Sequence, residues 1–509
     1  MNILRASLTV TLLALLSRAL GLGRDLAVTW SFGASVDTDA FYIASSFSNA
    51  AYVVVAAALA SATIPLIVNE KSAGVSADHR SISSILNITI IALCIVVGAA
   101  LLNSAEISRL LAGDASADLL ARSEYFMLLI FPTIILLGSA GVLTGILNAN
   151  SIFTPSAAAP SVLNAIVVLF ILAFSQRLGV MAAILGTLAG SVVFFLLQIP
   201  AFYKVGYRHH WTISFHDETI WRFAQAAFPA VAVALLLYAY AFVDMAVGAR
   251  LGVGTVTAVT IAAKLIQLPQ GVIAMGLTTA TFPLISRLIG DGKIENATLL
   301  TARLSASILV AAVPATVIAV VLGDQIVSLV FGRGTFSDEA VSETSRIFRV
   351  MVAALPALAL HVILLRISYA MRMWMIPLGA CAISFATKLV MAIYLVDAHG
   401  VDALSYSTII ASYLNIMIMI VVLNRRLDRP FGSAFVVRCL RILAVSGLTG
   451  AGIVLCRMLL SSLEPEWSVW IEFIGLSIAG GVFYLALGAL ILREEFFFIK
   501  NLRRHKLNA

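Results

Sequence analysis

Ionisable side chains inside long apolar runs are the residues of this chain best suited to chemistry. A charge placed in a bilayer costs about 2.5–3.5 kcal/mol on insertion scales, so each such residue is a functional-site hypothesis. Basic residues outnumber acidic ones in this set, and fixed positive charge inside a membrane favours an anion, such as the diphosphate of a lipid-linked molecule. The basic members are Arg18, Arg24, Lys264, Arg366 and Lys388, and the acidic members are Asp25 and Asp244.

The first apolar run carries three of these charges at a spacing that suits one face of a helix. Arg18 and Asp25 are seven residues apart, which is nearly two helical turns and about 10 Å along the axis. Arg24 would point elsewhere, but two glycines between Arg18 and Arg24 favour a bend that would bring it to the same face. Asp39 opens the second run. A structural ion pair of Arg24, Asp25 and Asp39 near the membrane surface is the alternative to a role in binding or gating.

These charges must be positioned by helices that cross a membrane. The 509-residue chain is 61% hydrophobic and 12% charged, with a mean hydropathy of +1.02, whereas an ordinary soluble domain has about 25% charged residues. Long apolar runs without alternation predict α-helices rather than a β-barrel. We therefore predict an all-α polytopic membrane protein with about 14 transmembrane helices. The apolar stretches are 6–31, 39–68, 82–103, 123–148, 157–175, 179–203, 221–249, 255–286, 299–322, 345–371, 376–396, 401–423, 435–459 and 468–491.

The loops predict the orientation and exclude several function classes. Basic residues concentrate at both ends of the chain and in the loops after even-numbered spans, which predicts cytoplasmic termini. The sequence contains no metalloprotease, P-loop or nucleophile-elbow motif. Its four cysteines are isolated from one another. We therefore predict a protein that is not an enzyme, has no cofactor or metal and binds membrane lipids rather than nucleic acid; the residues leave a coupling ion open.

An internal repeat divides the chain. DLAVTWSFG at 25–33 aligns with DMAVGARLG at 244–252, and ATIPLI at 62–67 aligns with ATFPLI at 280–285. The offset corresponds to six spans, an even number, so both copies enter the membrane in the same direction. Parallel repeats are typical of secondary transporters in which two lobes rock around a central site. We predict an N-lobe at 1–215 with spans 1–6, a C-lobe at 216–430 with spans 7–12, and spans 13 and 14 with a basic cytoplasmic tail at 431–509.

Short motifs near the ends of several predicted spans carry a resemblance to a known family. They are SRALGLGRD at 17–25, FGA at 32–34, TDAF at 38–41, GILN at 145–148, FTP at 153–155, APSVLN at 159–164 and FGRGTF at 331–336. Together they resemble the MurJ/MviN family, the lipid II flippases of the multidrug/oligosaccharidyl-lipid/polysaccharide exporter superfamily. The similarity extends over essentially the whole chain.

The resemblance implies a fold and a function. It implies two six-helix lobes around a cationic cavity, with spans 13 and 14 forming a groove for the polyprenyl tail. The cargo would be lipid II, moved by alternating access across the bacterial cytoplasmic (inner) membrane, with cell-wall synthesis proteins as partners. Carried over by position, Arg18, Arg24 and Lys264 would bind the diphosphate, and Lys264 stands where the family usually has an arginine. Asp25 and Asp39 would orient or gate.

One hypothesis concerns a departure in the second lobe. Asp244 lies in the lobe in which family members bind a sodium ion, and Lys388 lies in span 11 of the same lobe. We predict that the Lys388 ammonium pairs with Asp244 and replaces a mobile cation. Arg366 is expected to be a gating or structural charge.

Other departures leave the cargo open. The segment 50–52, AAY, replaces a basic pair that is common in the family, and Ile152 stands where a basic residue is usual. A flippase for another polyprenyl-linked glycan, of the exopolysaccharide or O-antigen type, is therefore an alternative. A cation-coupled multidrug exporter fits the basic surplus less well. A non-transporting membrane scaffold would need no arginines inside its spans.

Overall fold

The structure, a computed structural model, consists of helices joined by short connections. It describes residues 3–72, 79–113, 115–204, 207, 209–214, 218–462 and 469–498. These residues form nineteen α-helices and one 3-10 turn, η1 (Val352–Ala354), and contain no β-strand, so the predicted all-α fold is confirmed. The helices are α1 (Ile3–Phe32), α2 (Val36–Ser72), α3 (His79–Leu102), α4 (Ser104–Ala112), α5 (Ala117–Ile130), α6 (Pro132–Ala149), α7 (Thr154–Leu178), α8 (Met181–Leu196), α9 (Ile199–Lys204), α10 (Glu218–Leu251), α11 (Thr255–Gly290), α12 (Ile294–Val321), α13 (Gly323–Phe331), α14 (Asp338–Met351), α15 (Leu355–Ala370), α16 (Met375–His399), α17 (Asp402–Arg426), α18 (Ser433–Ser462) and α19 (Val469–Ile491).

Helices lie at all fourteen positions where apolar stretches predicted them. Within the described residues, 12 segments are long and apolar enough to cross a bilayer. In addition, α1 and α2 contain 30 and 37 residues, more than the roughly 20 that a crossing needs. Three predicted spans are divided into two helices, and a proline stands in the first two positions of the second helix: Pro132, Pro200 and Pro356. Proline lacks the backbone N–H that would continue the preceding helix.

The helix boundaries repeat along the chain as the sequence motifs predict. Helix α1 ends at Phe32 and α10 ends at Leu251, which is the offset of the first motif pair. The short helices α4 and α13 have nine residues each, and their starts are separated by this same offset. The starts of α5 and α14 are separated by nearly the same interval. The two repeats therefore share the order of these helices, and the pairs α4/α13 and α5/α14 also share their lengths.

Contacts divide the described residues into two compact units. Unit 1 comprises Met1–Thr257 and Arg333–Ser337, and unit 2 comprises Ala258–Gly332 and Asp338–Ala509. The long helix α10 begins the second repeat but packs against α2 and α4 in unit 1. The units are defined by contact, whereas the lobe boundaries at 215 and 430 come from the repeat and stay predictions.

Each unit is held by a small number of helix pairs. In unit 1, α2 packs against α5, α6 and α10, while α1 packs along α7. In unit 2, α17 packs against α14, α15 and α16, while α12 packs against α15 and α18. Helices in lipid associate through close packing and interhelical hydrogen bonds. These pairs position the candidate site residues, which lie on α1, α2 and α10 of unit 1 and on α11, α15 and α16 of unit 2.

Candidate functional site

Arg24 and Asp25 form an ion pair on the membrane helix α1. Arg24 Nη2 and Nε lie 3.0 and 3.2 Å from Asp25 Oδ1, so the guanidinium donates both hydrogen bonds to one oxygen. The side chain of Arg24 is 19% exposed and that of Asp25 is 4% exposed. Helix α1 is continuous through this pair, so the contact does not need an interruption at the nearby glycines. The buried carboxylate fixes the orientation of a partly exposed guanidinium.

Arg18 lies earlier on the same helix, and its side chain is half-buried. Here α1 packs along α7. Asn164 Nδ2 donates to the backbone oxygen of Ser17 at 3.5 Å, and Ser161 Oγ donates to that of Leu13 at 3.5 Å. Both donors belong to the APSVLN motif at 159–164. Because this motif is part of α7, its two hydrogen bonds hold the backbone of α1 near Arg18 against α7.

Asp39 caps the start of helix α11. Its carboxylate is fully buried and accepts hydrogen bonds from the backbone N–H groups of Gly254 at 2.7 Å and Thr257 at 2.8 Å. The Thr257 hydroxyl donates to the same oxygen as the Thr257 N–H. N–H groups in the first turn of a helix have no partner within the helix, and a carboxylate at this end also interacts favourably with the helix dipole. The geometry therefore supports a structural role for Asp39.

The loop 333–337 caps the C-terminal end of α1. The Thr335 N–H donates to the Trp30 backbone oxygen at 2.9 Å, and the Thr335 hydroxyl donates to the same oxygen at 3.0 Å. Gly334 has a φ of +70°, and a Cβ at this position would overlap the Trp30 oxygen. Gly33, directly after α1, has a φ of +64°, and a Cβ there would overlap the Thr335 backbone oxygen. Two glycines thus allow the loop and the helix end to approach closely.

Lys388 on α16 is the most deeply buried of the three candidate residues in unit 2. Its side chain is 1% exposed, and Nζ donates to Thr408 Oγ1 on α17 at 2.7 Å. The Thr408 hydroxyl donates its own proton to the Leu404 backbone oxygen at 2.8 Å, which orients the threonine oxygen to accept from the ammonium. Lys264 on α11 and Arg366 on α15 are half-buried.

The structure brings some predicted site residues together and leaves other groupings as predictions. Arg24 contacts Asp25, and Asp39 contacts the start of α11. The pairing of Lys388 with Asp244 stays a prediction, as does a joint anion site formed by the two arginines of α1 and Lys264. Unit 1 contains Arg18, Arg24, Asp25, Asp39 and Asp244, and unit 2 contains Lys264, Arg366 and Lys388.

Three threonines complete these contacts, and the sequence did not single them out. Thr257 donates to Asp39, Thr335 donates to the end of α1, and Thr408 accepts from Lys388. A signal existed for Thr257, because it lies 218 positions after Asp39, which is the offset of the second repeat motif. Thr335 lies within the FGRGTF motif, although the motif did not indicate its partner. Nothing comparable marks Thr408, since a hydroxyl in a helix also bonds to its own backbone.

Solved structures share this arrangement of helices. A multidrug resistance MATE family transporter of the MOP superfamily, in an inward-facing conformation, matches with a TM-score of 0.63 and 15% identity, covering 84% of this chain and 95% of that one. Lipid II flippase MurJ in an inward closed conformation matches with a TM-score of 0.82 and 20% identity, covering 95% of this chain and 99% of that one. The chain is therefore a multi-pass α-helical membrane protein with the fold of these solved structures.

Within that class, the chain belongs to the lipid II flippase MurJ family, whose model matches residues 28–477. Among its relatives is a probable lipid II flippase MurJ of Buchnera aphidicola subsp. Acyrthosiphon pisum, 25% identical over 82% of this chain and 83% of that protein. Another is a probable lipid II flippase MurJ of Treponema pallidum, 26% identical over 83% of this chain and 82% of that protein. The family that the sequence motifs indicated is confirmed.

Proposed function

We propose that the protein translocates lipid II, the undecaprenyl-diphosphate-linked peptidoglycan precursor, from the cytoplasmic to the outer leaflet by alternating access. The observation that carries this proposal is the pair of Arg24 and Asp25, in which a buried carboxylate orients a partly exposed guanidinium on a membrane helix. A guanidinium can bind phosphate oxygens through two parallel N–H donors. The family of the chain and its relatives in Buchnera and Treponema carry the same activity in their names.

In this proposal three basic residues bind the diphosphate: Arg18, Arg24 and Lys264. Lys264 acts as a point charge, so it attracts the diphosphate without the bidentate geometry of an arginine. Asp25 holds the Arg24 side chain in one orientation and reduces the free-energy cost of its charge inside the membrane. The remaining charges, which act in gating or structure, are Asp39, Asp244, Arg366 and Lys388.

The protein acts as a transporter without covalent chemistry, cofactor or metal in this proposal. It resides in the bacterial cytoplasmic (inner) membrane with both termini in the cytoplasm, as the distribution of basic loop residues supports. The N-lobe (1–215) and C-lobe (216–430) alternate access, and the segment 431–509 adds spans 13 and 14 and the cytoplasmic tail. Membrane lipids surround the protein, and cell-wall synthesis proteins that use the delivered lipid II are its partners.

Replacing Arg24 tests the proposal. R24A removes the guanidinium that Asp25 orients, including the N–H groups that do not donate to Asp25 and are left for a phosphate. We therefore expect the flipping of fluorescent lipid II in proteoliposomes to fall at least about tenfold, as for lost hydrogen bonds between charged groups. R24K keeps the charge without the fork and should retain part of the activity. The matched control is R109A, because Arg109 is exposed on α4 and pairs with the exposed Glu106. Unchanged flipping by R24A, at equal amounts of protein in the membrane, would exclude Arg24 from the site.

A second candidate cargo is another polyprenyl-linked glycan of the exopolysaccharide or O-antigen type. Tyr52 favours it, because this residue lies where a basic pair is common in the family and packs edge-on against Phe194, with ring centroids 5.5 Å apart. An aromatic pair presents apolar surface in place of a phosphate-binding charge. Complementation of a cell depleted of its lipid II flippase separates the two cargoes. Rescue supports lipid II, and failure at normal membrane levels supports the other glycan.

A further inference from the structure

A histidine within the helix packing links three membrane helices of unit 2. His361 lies on α15, and its Nδ1 is 2.7 Å from Asn415 Oδ1 on α17. The Asn415 amide nitrogen in turn donates to Cys381 Sγ on α16 at 3.6 Å. Cys381 is fully buried, and Asn415 is 5% exposed. A titratable imidazole is therefore fixed between helices by a neutral hydrogen-bonded chain.

The hydrogen bond with Asn415 determines which ring nitrogen can take up a proton. An amide oxygen only accepts hydrogen bonds, so His361 Nδ1 must carry the donated proton. In the neutral imidazole Nε2 then has a lone pair. Nε2 is buried, and among the residues that the structure describes it has no hydrogen-bond partner. A buried polar atom without a partner in a native fold calls for an explanation, and an ionisable one inside a membrane is a candidate proton site.

Carboxylates on the helices around His361 are confined to the helix ends. Every carboxylate on the helices that pack against α15, and on α15 itself, lies in the first or last turn of its helix. The charges nearest to the middle of these helices are the basic residues Arg366 and Lys388, so these helices offer an imidazolium at His361 no carboxylate at mid-length. The charged and titratable residues on these helices are Glu295 and Arg303 on α12; Arg366 and Tyr369 on α15; Cys381, Lys388, Tyr394, Asp397 and His399 on α16; and Asp402, Tyr406, Tyr413, Arg425 and Arg426 on α17.

We propose that His361 is a proton-binding site and that proton uptake and release at Nε2 are coupled to the transport cycle. On uptake, one O–H bond of a hydronium ion breaks and one N–H bond forms at Nε2, which leaves a water molecule and an imidazolium with both nitrogens protonated. On release that N–H bond breaks and the proton forms an O–H bond with water again. The existence of the site is independent of the cargo, and only its link to transport rests on the proposed function.

Nitrogen NMR of histidine-labelled, full-length protein in lipid tests the site directly. The chain has seven histidines, and H361Q identifies the resonances of His361 by removing them. We expect Nδ1 to remain protonated and Nε2 to change from unprotonated to protonated as the pH falls from about 8 to about 5. An Nε2 that keeps one protonation state over this whole range, in protein that remains folded, would overturn the proposal.

Transport of fluorescent lipid II in proteoliposomes tests the coupling. The unaltered protein should flip at a rate that changes over the same pH range, and H361Q should lose this pH dependence. H399Q is the matched control, because His399 belongs to the same unit but is exposed at the end of α16. A pH profile of H361Q identical to that of the unaltered protein would overturn the coupling.

A third variant changes the partner rather than the histidine. N415D places a carboxylate beside the Nδ1 proton, so the pH midpoint of the Nε2 titration should rise by about 1–3 units. A merely structural histidine would show no such shift, and its absence would count against the site. If Nε2 titrates but the unaltered protein flips no lipid II, the proton site stands and the proposed cargo is wrong.

Discussion

Asp39 and Arg24 differ in how far hydrogen bonds within the protein already occupy their charged groups. Both oxygens of Asp39 accept hydrogen bonds from the segment 254–257, so its charge is used within the protein. Arg24 directs Nε and Nη2 to one oxygen of Asp25 and keeps 19% of its side chain exposed. Their hydrogen-bond partners thus distinguish Asp39, a structural charge, from Arg24, a candidate binding residue.

The Asp39 contact predicts a loss of stability on a conservative substitution. In D39N one acceptor oxygen becomes an NH₂ group that faces an N–H donor. The free energy of unfolding should therefore fall by about 1–3 kcal/mol. The apparent melting temperature in detergent measures this change. D37N is the control two residues away, because Asp37 is exposed and pairs with Arg122 at the surface, where a salt bridge contributes about 0–1 kcal/mol. Equal shifts for D39N and D37N would contradict the assignment of Asp39 as a buried cap.

The sequence identified Asp39 and Arg24 by residue type and position, but it did not assign their partners. Arg24 was expected to need a bend in order to reach the face of Asp25, whereas a long flexible guanidinium reaches its neighbour from a continuous helix. The partners of Asp39 are 215 and 218 residues away. Contacts over such separations depend on how helices pack against one another. The spacing of residues within one helix carries no information about that packing.

At the scale of elements, α1 is held along its length and at its end. Helix α7 holds the stretch around Arg18 through Asn164 and Ser161, and the loop 333–337 caps the last turn through Thr335. The sequence identified the motifs APSVLN and FGRGTF as features of a family, but it did not indicate that they hold α1 in place. That role involves hydrogen bonds between residues as far as 306 positions apart.

The cap on α1 predicts a position-specific effect of a single methyl group. Ala at position 334 must adopt a φ of +70° and also displace the Trp30 oxygen. G292A is the matched control, because Gly292 has a φ of +72° and its Cβ would meet nothing within 4 Å. Both variants carry the cost of left-handed backbone, about 1–2 kcal/mol, and G334A should have the lower melting temperature and the lower flipping rate. Equal effects of the two substitutions would show that the loop does not hold α1 in the functional protein.

At the scale of the whole molecule, the sequence predicted the helices well. In lipid a helix satisfies its own backbone hydrogen bonds, so an apolar run of sufficient length is enough to locate a span. The offset of two short motifs likewise anticipated helix boundaries that recur in the second repeat at nearly the same interval. The division into compact units was not anticipated, because α10 belongs to the second repeat by sequence but to unit 1 by contact.

Lys388 predicts how the transport cycle responds to sodium. Lys388 places a buried ammonium that donates to Thr408 within unit 2, and the prediction is that this fixed charge takes the place of a mobile cation. We expect flipping in proteoliposomes to proceed at the same rate in sodium and in potassium buffers. K388Q removes the charge but keeps a donor for Thr408 and should slow flipping, whereas T408A removes only the acceptor and serves as the control. Strong sodium dependence of the unaltered protein would show that Lys388 does not replace a cation.

Asp39 and Thr257 are joined by hydrogen bonds although 218 positions separate them in the chain. A newly made chain can form this contact only after the first turn of α11 has been added. The cap that Asp39 provides is therefore a late contact during synthesis, and the start of α2 acquires its final surroundings only when most of unit 1 has been made.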